Sequence, residues 1–244
     1  MKIYGRNAVE EALRSGATVE RILVKKGAND AHASRIIREA ADRGVRVIYR
    51  EGAALDREVP RGANHQGFVA EVTEFEYSDT DDILALAEER GEKPFLILLD
   101  GVEDPHNLGA VMRVAECAGV HGIIIPKHRS VTVNDTVVKV SSGAAQYVRV
   151  AKVTNINDAI KYLRERGVWV YALDMDGEDL YSADISGATA FVVGGEGKGV
   201  SRLTRSLCDA VLSIPMFGKV NSLNASVATA VAVYEKVRRE RAAK

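Results

Sequence analysis

From Lys93 onward the chain alternates short, dense apolar runs with amphipathic segments. Dense runs are typical of strands that are buried on both faces of a parallel sheet. The amphipathic segments between and after them predict helices. This order predicts a doubly wound α/β sheet, which binds its ligands at the carboxyl ends of the strands. The predicted strands are Phe95–Leu99, Gly122–Ile125, Val168–Leu173, Phe191–Val193 and Val211–Ile214, and the predicted helices are Asn107–Ala118, Asn157–Arg166, Val200–Cys208 and Asn224–Arg241.

Residues 1–77 predict a separate, smaller α/β unit with two helices and three strands. Residues 78–82 break its pattern, so we expect a linker over 78–91, with an exposed helix from Ile83 to Arg90, and a catalytic domain over 92–244. In the small unit, Asn7 is a candidate N-cap and Gly44 suits a helix end. The predicted segments are helices 7–14 and 31–43 and strands 21–24, 45–49 and 67–77.

Composition narrows the class of protein further. No apolar run reaches the roughly 18 residues of a membrane helix, so no membrane association is expected. The two cysteines, Cys117 and Cys208, fall in helical contexts that look buried, which argues against a disulfide framework and for a reducing cytoplasm. The net charge of -1 hides an uneven distribution: residues 78–104 carry 2 basic and 9 acidic side chains, whereas residues 105–244 carry 18 and 13. Solvated helix faces account for most of these charges.

The loop after the first C-terminal strand carries polar side chains at the ligand-binding edge of the predicted sheet. Asn107 can open the following helix, and Arg113 lies six residues further on, so the two do not stack on one face. Both can border one cleft if the helix N-terminus faces it. The alternative is that Asn107 is a simple N-cap and Arg113 a surface charge.

A glycine-rich loop follows the fourth of these strands. Between Gly194 and Gly199, four glycines bracket a single carboxylate, Glu196, and glycine lets a ligand approach the backbone closely. A P-loop needs a hydroxyl where Gly199 stands, and the dinucleotide fingerprint fails on its spacing. The loop therefore predicts a ligand site of another kind, with a tight turn as the alternative.

The third loop, residues 214–226, lies between the last strand and the last helix. Its polar residues are of types that cap helices, so redundant capping is one interpretation. Apolar residues flank them, which suits a pocket for a flat, partly apolar ligand such as an adenine ring. The polar residues are Ser222, Asn224 and Ser226, and the apolar ones are Ile214, Met216 and Leu223.

Together the three loops resemble the motifs of the SpoU (TrmH) family of SPOUT-class RNA 2′-O-ribose methyltransferases. They are similar to the family patterns Asn-x-Gly-Ala-x-x-Arg, Gly-x-Glu-x-x-Gly-x-Ser/Arg, and Ile-Pro-Met followed by Ser-Leu-Asn-x-Ser, in family order. Residues 4–9 and 64–67 resemble the family's substrate-binding domain, so the resemblance spans nearly the whole chain. It is closest to the branch that methylates a guanosine ribose in large-subunit (23S) ribosomal RNA. The matching residues are Asn107, Gly109, Ala110, Arg113, Gly194, Glu196, Gly199, Ser201, Ile214–Met216 and Ser222–Ser226.

The resemblance implies a mostly parallel α/β SPOUT domain with a deep trefoil knot, preceded by a small α/β domain like ribosomal protein L30e. It also implies S-adenosylmethionine as cofactor, no metal, ribosomal RNA as partner and a homodimer that packs through the knotted domains. Residues of both subunits could then build one active site. Val227, Val231 and Tyr234 on the last helix are candidates for that interface, with intrachain core as the alternative.

The resemblance further assigns individual residues. We expect Arg113 to clamp the target phosphate rather than act as a base, because a guanidinium keeps its proton. Glu196 would orient Arg113 or Asn107, and Ser222 could pass a proton on. The implied catalytic residues are Asn107, Arg113, Glu196, Ser222 and Asn224; the cofactor-binding residues are Leu173, Gly195, Gly197, Ile214, Met216 and Leu223; and the RNA-binding residues are Arg6, Asn7, His65, Gln66, Arg113 and Lys139.

Three other functions are alternatives to this one. The RNA target could be a transfer RNA or another ribosomal position, although the N-terminal domain favours ribosomal RNA. A non-catalytic RNA-binding protein could keep the fold without a cofactor, but the intact polar residues in all three loops argue against it. A nucleotide-binding hydrolase or dehydrogenase fails on both glycine-rich motifs.

Overall fold

The structure, a computed structural model, describes residues 2–15, 18–73, 75–197 and 199–242. The chain divides into two compact units, one running to Glu76 together with Val133–Asp135, the other comprising Tyr77–Thr132 and the chain from Thr136 onward. Within the described ranges, no helix is long and apolar enough to cross a membrane.

The N-terminal unit is a four-stranded mixed sheet with helices. Its elements are β1 (Lys2–Tyr4), α1 (Arg6–Ser15), β2 (Thr18–Lys25), α2 (Ala31–Asp42), β3 (Arg46–Arg50), α3 (Gly52–Asp56) and β4 (Phe68–Thr73). The strand order is β1-β4-β2-β3, in which β2 and β3 are parallel and the other pairs antiparallel. Phe68, Ile22 and Ile36 are fully buried and pack in one apolar core.

Helix α1 begins one residue earlier than expected, and the assignment of Asn7 as its N-cap is wrong. The Val9 N–H donates to the Gly5 carbonyl at 3.0 Å, so Gly5 occupies the cap position and Asn7 lies inside the first turn. The N-cap of α2 is Asp30, whose carboxylate accepts from the backbone N–H groups of His32 and Ala33.

The C-terminal unit is a six-stranded sheet in which every neighbouring pair is parallel. Its elements are α4 (Thr80–Glu89), β5 (Phe95–Asp100), α5 (Pro105–Ala118), β6 (Gly122–Pro126), α6 (Asp135–Val140), β7 (Arg149–Val153), α7 (Ile156–Glu165), β8 (Trp169–Asp179), β9 (Thr189–Gly194), α8 (Arg202–Leu207), β10 (Ala210–Ser213) and α9 (Ala225–Ala242). The strand order is β10-β8-β9-β5-β6-β7. The expected parallel α/β fold is confirmed, and the knot stays a prediction.

Strand β8 is longer than the apolar run that predicted it. Its pairing with β10 joins Val211 to Ala172 and then Leu212 to Glu178, so five residues of β8 bulge out of the ladder. The bulge begins at Leu173, where the apolar run ends. Leu173 still pairs with Val193 of β9, and the bulged residues Leu173, Asp174 and Met175 line one cavity together with residues of the third loop.

Helix α4 is not the exposed linker helix that the acidic sequence suggested. Ile83 and Ala87 are fully buried, and Ile83 belongs to the core cluster of the C-terminal sheet. Ser78 also joins this unit, because its N–H donates to the Val150 carbonyl at 2.9 Å. The acidic residues of α4 occupy only one of its faces, and the other face packs as core.

The two cysteines differ from expectation in their surroundings. Cys117 is exposed on α5, so its expected burial is wrong. Cys208 is half-buried at the end of α8, its Sγ donates to the Thr204 carbonyl at 3.2 Å, and burial raises the pKa of its thiol to about 12. Both are free thiols.

Candidate active site

The three loops singled out in the sequence all follow the carboxyl ends of strands, after β5, β9 and β10. Strands β5 and β9 are hydrogen-bonded neighbours, with Asp100 opposite Gly194, so their loops leave the sheet side by side. The third loop ends at the start of α9. Sheet topology therefore brings segments more than one hundred residues apart to one edge, the usual ligand-binding edge of such a fold.

Asn107 lies inside α5 rather than at its cap. Asp104 caps the helix by accepting from the His106 N–H at 2.8 Å, and Pro105 occupies the first helical position. Asn107 therefore does not cap the helix. Its side chain is 4% exposed and needs hydrogen-bond partners of its own.

Those partners are Glu196 and Asn224, which form with Asn107 a hydrogen-bonded cluster, here called the Asn–Glu–Asn cluster. Asn107 Nδ2 donates to Glu196 Oε1 at 2.9 Å. Asn224 Nδ2 donates to the same Oε1 at 3.0 Å and to Asn107 Oδ1 at 2.9 Å. Two amides thus hold one oxygen of the carboxylate, while Oε2 has no partner among the described residues. Of the two residues that Glu196 was expected to orient, Arg113 or Asn107, it contacts Asn107.

Asn224 has two tasks at once. Its Oδ1 accepts from the Ser226 N–H at 3.0 Å and from the Ser226 hydroxyl at 2.6 Å, which caps the start of α9. Its Nδ2 reaches the cluster. The capping interpretation of this loop is therefore confirmed for Asn224, and the same side chain also joins the Asn–Glu–Asn cluster.

Glycine is required where the second loop meets its neighbours. A Cβ on Gly195 would lie 2.1 Å from the Gly101 carbonyl oxygen, and one on Gly194 would lie 1.9 Å from the carbonyl carbon of Gly199. Both obstacles are backbone, which a rotamer change cannot relieve. The motif serine, Ser201, caps α8 by accepting from the Thr204 N–H at 3.2 Å.

A first cavity of about 590 Å³ opens between the second and third loops and the bulge of β8. Its lining includes all six residues expected to bind the cofactor, and also Glu196, Ser222 and Asn224. Ser222 is exposed there and has no hydrogen-bond partner among the described residues. The six expected residues are Leu173, Gly195, Gly197, Ile214, Met216 and Leu223.

A second cavity of about 640 Å³ lies on the other side of the glycine-rich loop. Asn107 lines it, and Gly195, Glu196 and Gly199 line both cavities. The Asn–Glu–Asn cluster therefore stands in the wall that separates them. Sequence reasoning missed the second cavity, because part of it follows β7, a strand that was not predicted.

Arg113 is not brought to this cluster by its own chain. It lies on the exposed face of α5, six residues or about 9 Å along the axis from Asn107, and lines neither cavity. Within the described part of the chain it has no hydrogen-bond or ionic partner. Lys139, in the last turn of α6, is likewise exposed and unpaired among those residues.

Three of the four RNA-binding candidates in the N-terminal unit have intrachain partners. Arg6 forms a bidentate pair with Asp30, at 2.9 and 2.7 Å, and its Nε donates to the Gln66 carbonyl at 3.2 Å. His65 Nδ1 accepts from the Gly67 N–H at 2.9 Å, so Nε2 carries the hydrogen that Asp56 accepts at 3.0 Å. Only Asn7 is exposed and without a partner among the described residues.

Comparison with known proteins adds independent information. The model of the SpoU rRNA Methylase family matches residues 94–234, and that of the RNA 2′-O ribose methyltransferase substrate-binding domain matches residues 2–78. The Bacillus subtilis protein YacO, named as a TrmH family tRNA/rRNA methyltransferase, is 41% identical over 238 residues, which are 97% of this chain and 95% of YacO.

Two solved structures share the fold along nearly the whole chain. The SpoU methyltransferase AviRb from Streptomyces viridochromogenes is 25% identical with a TM-score of 0.64, covering 100% of this chain and 91% of AviRb. An AdoMet-bound rRNA methyltransferase from Sinorhizobium meliloti is 25% identical with a TM-score of 0.61, covering 98% of this chain and 87% of that one.

The fold and these matches define an RNA methyltransferase whose substrate-binding domain precedes the catalytic domain in the sequence. The chain belongs to the SpoU rRNA Methylase family, also named TrmH in its relatives. The resemblance read from the three loops is thereby confirmed, and the guanosine branch within the family stays a prediction.

Proposed function

We propose that the protein transfers a methyl group from S-adenosylmethionine to the ribose 2′-hydroxyl of a guanosine in 23S ribosomal RNA. The observation that carries the proposal is the position of the Asn–Glu–Asn cluster between two cavities, so that donor and acceptor can meet at one hydrogen-bonded group. Ribosomal RNA in bacteria is a cytoplasmic substrate, and we place the enzyme in that compartment.

The first cavity fits S-adenosylmethionine. Leu173, Ile214 and Met216 offer apolar surface to an adenine ring, and the glycine loop offers backbone polar groups. The carboxylates of Asp174 and Glu196 line the same space and suit ribose hydroxyls and cationic groups. When bound, the cofactor supplies a methyl group that its positive sulfur has already activated, so the residues need only position the hydroxyl and remove its proton.

We propose that Glu196 accepts the proton of the 2′-hydroxyl. The two amide donors on Oε1 fix the carboxylate, and Oε2 is left open to accept from the 2′-hydroxyl. Ser222 lines the same cavity and can relay the proton to solvent. Asn107 and Asn224 do not exchange protons; they keep the carboxylate in one orientation.

Arg113 is our candidate for the clamp on the target phosphate, and its location favours a site that is completed by a second copy of the chain. Because it lines neither cavity of its own chain, we propose that it serves the active site of the partner in a homodimer. The exposed apolar side chains of Val227 and Tyr234, each 47% exposed on α9, and of Phe217, 98% exposed in the third loop, suit such an interface. Val231, the third interface candidate, is half-buried.

A mixing experiment tests this arrangement. Arg113→Ala and Glu196→Gln are each expected to be inactive. If Arg113 acts on the partner's site, mixed dimers of the two variants contain one complete site and regain activity. If both residues act within one chain, no mixture regains activity. Sedimentation velocity gives the oligomeric state independently.

Two measurements test the reaction itself. Calorimetry on the folded protein should show binding of S-adenosylmethionine and of its demethylated product; no binding of either would point to a non-catalytic RNA-binding protein. Mapping 2′-O-methyl groups in RNA from a deletion strain should show one missing mark at a guanosine of 23S ribosomal RNA. A missing mark in a transfer RNA would establish the alternative substrate instead.

We further propose that residues 1–77 bind the RNA and that the C-terminal domain catalyses the methyl transfer. Because Ile83 is buried in the C-terminal core, a fragment that begins at Tyr77 should fold and bind cofactor. A fragment that begins at Glu92 should be less stable by about 2–5 kcal/mol, the usual cost of losing a large buried aliphatic side chain. Full activity of the Tyr77 fragment on ribosomal RNA would contradict a substrate-recognition role for residues 1–77.

A further inference from the structure

The second cavity has no assigned ligand, although it adjoins the proposed reaction centre. Loops after β5, β6, β7 and β9 line it, and its volume of about 640 Å³ falls within the about 300–1,000 Å³ of small-molecule sites. If the first cavity holds the methyl donor, the group that faces the other side of the Asn–Glu–Asn cluster belongs to the RNA.

The charges around the cavity indicate which part of the RNA can enter. Four carboxylates, one guanidinium and one imidazole, that of His128, line it, so a phosphate would meet mainly like charge. A neutral group that carries N–H donors is favoured instead. The lining carboxylates are Asp100, Glu103, Asp104 and Glu196, and the guanidinium is that of Arg129.

Among the described residues, one of the four carboxylates has both of its oxygens free to accept from such donors. Asp100 accepts from the Ser201 N–H at 3.2 Å, Asp104 caps α5, and Glu196 belongs to the cluster. Glu103 is exposed at the cavity and has no hydrogen-bond or ionic partner among the described residues. Both of its oxygens are therefore free to accept from one ligand.

We propose that this cavity receives the base of the target nucleotide and that Glu103 selects guanine. Among the four RNA bases, guanine alone presents two adjacent N–H donors, N1–H and the 2-amino group, on its Watson–Crick edge. A carboxylate accepts from both at once, in the planar two-bond geometry that makes such contacts specific. The inference rests on the proposed ribose methylation of RNA and adds the residue that reads the base.

The test compares guanosine with inosine, which lacks the 2-amino group. A synthetic RNA fragment that spans the mapped methylation site is prepared with either nucleoside at the target, and kcat/KM is measured with labelled S-adenosylmethionine. Wild-type protein should prefer guanosine by about 10- to 100-fold, the range for a hydrogen bond to a charged group. In Glu103→Gln the preference should fall to near unity, because an amide cannot accept from both donors.

Glu116→Gln is the matched control, since it removes the same charge from an exposed position of α5 that lines neither cavity. It should keep the wild-type preference. Glu103→Gln should bind S-adenosylhomocysteine like wild type, because Glu103 does not line the first cavity. An unchanged guanosine preference in Glu103→Gln, or a target base other than guanine, overturns the inference and leaves the methyltransferase function standing. No transfer by wild-type protein to any RNA would refute the proposed function itself.

Discussion

Replacing Asn107 by aspartate would put a second carboxylate inside the Asn–Glu–Asn cluster. In the wild-type chain the Asn107 amide donates to Glu196 Oε1 at 2.9 Å, and the side chain is 4% exposed. The aspartate has nearly the same shape but no hydrogen to donate. The substitution therefore converts an attractive contact into a repulsion between like charges without changing the packing.

The size of the repulsion follows from the distance. Two unit charges 4 Å apart interact by about 1 kcal/mol in bulk water and about 4 kcal/mol at an effective dielectric constant of 20. Because Glu196 is exposed while Asn107 is buried, the loss of folding free energy at high pH should lie between these limits. For a chain of this length, each kcal/mol lowers Tm by about 2–4 °C.

The loss should depend on pH with a defined sign. Repulsion raises the pKa of the carboxylate pair in the folded variant above the ordinary value of about 4. The folded variant then binds more protons than the unfolded chain between the two pKa values, so its stability falls as the pH rises through the folded pKa. The destabilisation should therefore be largest near pH 8 and smaller near pH 5.

Urea unfolding of wild type, Asn107→Asp and Asn107→Ala at both pH values provides the assay. The alanine variant loses the hydrogen bonds without adding charge, so its destabilisation should be the same at pH 5 and pH 8. Methyl transfer should fall in both variants, because Glu196 loses one of its two amide donors. A pH-independent loss in the aspartate variant would show that Asn107 and Glu196 are not in contact.

Three further predictions address other parts of the site. Gly195→Ala should abolish cofactor binding in calorimetry, because its Cβ would lie 2.1 Å from the Gly101 carbonyl oxygen. The Cβ of Gly197→Ala meets no atom within 4 Å, so this variant should lose only the about 1–2 kcal/mol of folding free energy that a left-handed backbone costs. Equal cofactor affinities of the two variants would contradict the packing. Arg113→Ala should reduce turnover by about 30- to 1000-fold while the affinity for S-adenosylmethionine stays unchanged. Arg113→Lys should not restore turnover, because a point charge cannot replace the planar guanidinium. A fully active lysine variant would refute the role of Arg113 as a phosphate clamp. Burial lowers the pKa of His121, whose Nδ1 accepts from the Phe95 N–H, so stability should be lost as the pH falls below the unfolded value of about 6.5; a flat stability profile from pH 7.5 to 5.5 would argue against this.

Most strands of the catalytic domain could be predicted because they are continuous apolar runs buried on both faces. Strand β7 escaped prediction since Arg149 and Lys152 interrupt its apolar run, although Val150 and Ala151 are buried. The sequence places helix α4 at the surface because charged residues likewise obscure its apolar positions. Its acidic face dominates the sequence, whereas the Ile83 side chain packs so closely on Gly122 that an added Cβ there would lie 2.5 Å from it.

The candidate site could be predicted as three loops but not as a set of contacts. Glycine content and helix caps mark where Glu196 and Asn224 lie in the sequence. The hydrogen bond from Asn224 to Asn107 joins residues 117 positions apart, and its partners are set by sheet order, which no local pattern contains. The spacing of Arg113 from Asn107 likewise indicates separate helix faces but not whether a second subunit supplies the missing side of the site.

The narrow wall between the two cavities bears on how enzymes of this kind could diversify. Among the described residues, only Gly195, Glu196 and Gly199 line both spaces. Mutations in the loops after β5, β6 and β7 can therefore reshape one space while the lining of the other stays intact. On the proposed assignment of the second cavity to the target base, such a partition lets target choice change independently of the donor chemistry. A library confined to residues 126–129 and to Glu103 should then yield variants that modify new nucleotides.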